Sequence, residues 1–128
     1  MAKKPVSTLK GRELDYWVAM AMDEDFYIDG DGSVIVVDYE DVDPATDLAY
    51  EFKFDPAADW AFSGPIIQES GITLIRDNAN NIWCATNAVD QSAVDTFSMM
   101  DGSPLIAAMR VFVAIKFGLV VDRAQLFH

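Results

Sequence analysis

Residues 103–118, SPLIAAMRVFVAIKFG, constrain the fold more than any other stretch. Ser103 can cap a helix, Pro104 carries the fixed φ that suits a first helical position, and Gly118 suits the residue just past the end. Between them Arg110 and Lys116 are nearly the only polar side chains. Leu105, Ile106, Met109, Val111, Phe112, Val113, Ile115 and Phe117 leave no polar face. A helix apolar all round is central to a domain or sits in a subunit interface, and the core is the commoner place.

The remaining elements follow from periodicity and punctuation. Leu14, Trp17, Val18, Ala21 and Met22 recur at three- and four-residue steps, which predicts a helix over 11–22, with Leu9 and Leu14 spaced as a hydrophobic staple around a cap at Lys10. The β-branched run 33–38 predicts a strand, and the alternation Tyr50, Phe52, Phe54 against Glu51 and Lys53 predicts another over 49–54. Residues 39–48 read as a long acidic loop between them. Strands over 72–76 and 82–86 flank the turn 78–81. The expected class is α+β: an antiparallel sheet of about four strands packed with an N-terminal and a C-terminal helix. At 128 residues one domain is expected, with enough length to bury a core. Residues 1–8 and 119–128 read as loose tails, and 87–102 as loop with a short helical turn near 91–98.

Charge separates the chain into two parts. Its formal net charge is −12, and residues 23–59 hold 13 of the 21 acids against the single base Lys53. The other residues balance. Such a field repels phosphates and attracts basic protein surfaces, so no direct nucleic-acid binding is expected. Asp29, Asp31, Glu40, Asp41, Asp43 and Asp47 form the candidate acidic face.

Catalytic and metal chemistry find little purchase. The one histidine, His128, ends the chain, so a nucleophilic Ser or Cys has no internal imidazole base. One Cys and one His exclude a zinc site of the usual kind. The run DEDFYIDGDGS resembles a calcium loop in composition and fails in register. With Gly32 sixth, Tyr27 is first and Asp38 twelfth; with Gly30 sixth, Tyr27 is third and Val36 twelfth. Gly30-Asp31-Gly32 lacks the lysine of a phosphate loop. No metal, cofactor or catalytic residue is expected, and the chain reads as a non-enzyme. No apolar run reaches a membrane span, no signal peptide is legible, and Cys84 has no partner cysteine, so a cytoplasmic protein is expected.

Residues 55–75, DPAADWAFSGPIIQESGITLI, mark the border between the acidic and the neutral part. Asp55-Pro56 starts a turn, Gly64-Pro65 breaks the chain, and Gly71 ends a second turn. The stretch reads as an irregular loop pinned to the core. Asp59, Trp60, Phe62, Ser63, Gly64 and Pro65 form a candidate interaction loop. Burial of Trp60 and Phe62 as a core plug is the simpler reading, since large aromatics are mostly buried.

Three segments in this order carry a family resemblance: LKGRELDYWVA at 9–19, DWAFSGPII at 59–67 and SPLIAAMR at 103–110, closed by Phe117-Gly118. Together they resemble the small NinX-like proteins of lambdoid phages and prophages. The resemblance implies a phage or prophage origin and an α-β-α sandwich with the helices on opposite faces. It implies no activity and brings no catalytic residues. Lys10 departs from the threonine usual in the family, and the acidic stretch 23–54 is longer than the family pattern.

The functional expectation is an acidic interaction or regulatory protein that binds a basic host or phage protein, in the bacterial cytoplasm, by imitating nucleic-acid charge. A structural homodimer through helix 104–117 is the alternative, and a carboxylate-based, metal-assisted enzyme a weaker one.

Overall fold

The computed structural model describes residues 3–88 and 96–122. Helix α3 (Pro104–Phe117) forms as its caps require: the Ser103 hydroxyl accepts from the Ile106 N–H at 3.3 Å, and Gly118 donates to the Ala114 carbonyl. Leu105 and all of residues 107–114 are buried. Cover comes from α1 (Gly11–Ala21), α2 (Trp60–Ser70), β6 (Ile82–Thr86) and β7 (Ser98–Asp101). Met109, Val111 and Val113 are wholly enclosed; burying each stabilises by roughly 1.5–3 kcal/mol. The core reading of this helix therefore holds over most of its length. Its last turn, 115–117, alone is exposed.

Helix α1 starts where the staple places it. Leu9 and Leu14 are fully buried, while Lys10 makes no side-chain cap. Gly11 enters the helix at φ 57, a left-handed value that glycine adopts at little cost.

The four expected strands are present, and the class is α+β. Their hydrogen bonds distribute them over two antiparallel sheets, each completed by a strand too short to read from the sequence. One has the order β2 (Phe26–Ile28), β3 (Val34–Asp43), β4 (Leu48–Lys53); the other has β5 (Thr73–Asp77), β6, β7. Helices α1 and α3 pack directly on each other, so no single sheet lies between them.

Three further expectations are corrected. The tails are tied down: β1 (Lys3–Pro5) pairs with β8 (Val120–Asp122), and Val121 in this ribbon and Val6 next to it are buried. Residues 123–128, like most of the helical turn expected near 91–98, lie outside the described residues. The acidic loop 39–48 is largely strand: β3 runs on to Asp43, and the turn narrows to 44–47. Composition hid this, because acidic residues read as loop, whereas the strand is set by its pairing with β4 across the four-residue turn.

The third correction is α2. The expected loop is a helix, capped by Asp59, whose carboxylate accepts from the Ala61 N–H at 2.9 Å. Pro65 sits inside it. A proline there removes the donor for the carbonyl four residues back; both Ala61 and Pro65 are exposed, so that carbonyl lies on the solvent side of the helix. Gly71 ends the helix at φ 67, with Ile72 N–H on the Ile67 carbonyl and Gly71 N–H on that of Gln68. That pair of bonds is a Schellman stop.

Candidate functional site

The strongest concentration of charge around a concavity lies at the far end of α1. Asp23 adopts φ 56 and turns the chain out of the helix, its N–H on the Met20 carbonyl and that of Glu24 on Ala19. Asp and Asn tolerate this conformation better than most residues. The Asp25 carbonyl then accepts from Val37 N–H at 2.8 Å, which lays residues 24 and 25 alongside β3. On the other side, the pairing of β3 with β4 slips. Asp38 opposes Tyr50, but the next registered pair is Val42 with Ala49, so residues 39–41 bulge. Bulges re-aim side chains; here Tyr39 is 66% exposed. The Asp38 carboxylate braces the bulge by accepting from Glu40 N–H at 3.0 Å.

Between these two features lies a cleft of about 460 Å³, walled by Val36, Val37, Tyr39 and Phe52 and rimmed by Glu24, Asp25, Asp38 and Glu40. Partial burial raises the Glu24 carboxyl above its usual range, and the neighbouring charges of Asp25 and Asp38 push it the same way. A cation brought to this rim would relieve that repulsion. Among the described residues no cluster of His, Cys, Asp or Glu has the geometry to hold a metal ion. Nor is any described helix long and apolar enough to cross a membrane.

Of the described side chains of the candidate acidic face, only Glu40 stands at this cleft. Asp29 and Asp31 lie in the β2–β3 turn, where Asp29 accepts from the N–H groups of Asp31 and Ser33 at 2.9 Å and Arg12 donates to the Asp31 carbonyl. Asp43 and Asp47 lie at the opposite end of β3; Asp43 caps its turn through Ala45 N–H at 2.8 Å, and Asp47 takes φ 59. The two groups are separated by the length of the strand, roughly 30 Å, so the six do not form one patch. The side chain of Asp41 lies outside the described residues. Sequence reasoning passed over Glu24, Asp25 and Asp38 because the bulge that gathers them leaves no local signature.

The candidate interaction loop is the first half of α2. Trp60 is 54% exposed and is not a core plug. Phe62 does the anchoring: its ring stacks on Phe52 at 5.7 Å and meets Phe54 edge-on at 5.3 Å. Ser63 is fully buried, its hydroxyl donating to the Asp59 carbonyl, while Gly64 is half-buried and Pro65 exposed. Phe52 thus belongs both to the cleft wall and to the seat of α2. Phe62→Ala should cost about 2 kcal/mol, whereas Trp60→Ser should stay within about 0.5 kcal/mol of wild type. Urea midpoints of the two variants check this.

The helices and motifs from α1 to the end of α3 agree with one comparison. A family model described as bacteriophage P22, NinX, matches residues 5–116. The chain belongs to that family. The match runs through the acidic stretch and α2 alike, so the cleft lies within the span of the NinX family. A comparison with curated proteins finds no match.

Proposed function

We propose that this phage protein is a non-enzymatic interaction or regulatory protein that holds a basic segment of a host or phage protein in the cleft between residues 24–25 and the bulge at 38–40. The observation that supports this is the meeting of four carboxylates with two aromatic rings around one concavity. A lysine or arginine entering it would face the carboxylates while its stem lies on Tyr39 and Phe52. The concentration of acid in residues 23–59 would speed the encounter by steering. The same field repels phosphate, so the partner is a protein that itself carries nucleic-acid-binding charge, and the cleft imitates the nucleic acid. The setting is the cytoplasm of the bacterial host.

The test is affinity capture from host and infected-cell lysates with wild type and with the triple variant Glu24→Gln, Asp38→Asn, Glu40→Gln. Wild type should retain a basic protein at low salt and release it as salt rises, with the triple variant weakened at least about tenfold. Equal capture by both proteins would overturn the reading.

A further inference from the structure

A second concavity borders the start of the acidic stretch at Met22 and carries one acid and one base of its own. It opens between the C-terminal ends of α1, α2 and α3 and encloses about 490 Å³. Met22, Ile66, Phe112 and Ile115 supply its apolar wall, with Glu69 reaching it from α2 and Lys116 from α3. Met22 and Ile115 are 39% and 36% exposed although they lie beside the core. Lys116 leans over the Phe112 ring, its Nζ 6.0 Å from the centroid. Among the described residues neither Glu69 nor Lys116 forms an ion pair.

We propose that this groove is the contact between two copies of the chain. A twofold contact sets the same patch against itself, so a patch must complement its own image. This one does: one acid and one base stand at the same apolar opening without pairing, and a twofold axis places Lys116 of one copy against Glu69 of the other, twice. The contact covers Met22 and Ile115 of both copies. Charge decides the occupant. The ionisable side chains lining the groove are Glu69 and Lys116, so two copies meeting through it set opposite charges together, whereas copies meeting through the cleft of Glu24, Asp25, Asp38 and Glu40 would repel. On α3 the contact uses chiefly the exposed last turn, with Phe112 at the floor of the groove, because the rest of that helix is already core.

Sedimentation equilibrium of the full chain across a concentration series tests this. Wild type should dimerise. Glu69→Lys and Lys116→Glu, both at exposed positions, should each weaken the dimer at least about tenfold, because each sets like charges together twice, while circular dichroism stays unchanged. Mixed in equal amounts, the two variants should recover association: one copy then carries two lysines and the other two glutamates at the contact. Wild type that stays monomeric throughout, single variants that dimerise like wild type, or a mixture that fails to recover would each overturn the proposal.

Discussion

Arg110→Ala should lower the unfolding free energy by about 4 kcal/mol and the melting temperature by roughly 15 °C. The guanidinium is 6% exposed in the middle of α3. Its Nε donates to the Leu9 carbonyl at 2.7 Å, and one terminal nitrogen reaches both the Met100 carbonyl and the Asp101 carboxylate, at 3.2 and 3.3 Å. One side chain therefore ties the entry of α1 and strand β7 to the central helix. Alanine leaves the Leu9 carbonyl without its donor and a cavity beside it, and an unsatisfied buried group costs more than the bond it made. Arg110→Lys should recover little, since a single ammonium cannot span acceptors placed for the guanidinium's fork of donors. Urea unfolding at constant slope checks both; a loss below about 1 kcal/mol for the alanine variant would show the bonds to be dispensable.

The second large effect is a pH dependence centred on Asp15. This carboxyl is 6% exposed on the buried side of α1. Burial pushes it up from its ordinary 3.8 to about 7; the Ala57 N–H, at 3.0 Å, and Lys53 pull it down, and Asp55 pushes it up further. The unfolded chain releases this proton near pH 4, while the folded protein keeps it until about pH 7. Stability from this group is therefore full below about pH 4, falls as pH rises, and has dropped by up to about 4 kcal/mol once pH exceeds 7. Asp15→Asn keeps an oxygen for the Ala57 N–H and cannot ionise. It should be the more stable protein at about pH 8, and its advantage should vanish towards pH 4–5. A wild type that gains on the variant as pH rises would mean that the ionised carboxylate is the favoured form.

The legible part of the fold was local. Ser103, Pro104 and Gly118 framed α3 because capping acts within a few residues, and the hairpin 73–86 was written in its own turn. The missed elements each depended on what they pack or pair against rather than on their own residues. Trp60–Ser70 is a helix despite Gly64-Pro65, because the proline falls on the solvent face while Phe62 and Ile66 are drawn inward. The three-residue strands 26–28, 3–5 and 120–122 exist through their partners, since so short a segment has no stability of its own.

The candidate site divides in the same way. Composition alone locates the negative charge in residues 23–59, disfavours nucleic acid as a direct ligand and leaves no internal histidine for catalysis. Which of those acids act together is another matter. Asp29 and Asp47 serve turns at opposite ends of β3, while Glu24, Asp25, Asp38 and Glu40 share a cleft that exists because a helix end and a bulge meet. Likewise, the sequence determined that Pro104–Phe117 is a helix with no polar face, because its caps and its apolar residues on every side are local to it. Only the tertiary structure decided that its last turn stays open beside Glu69, because the burial of a side chain depends on what the rest of the chain can reach to cover it.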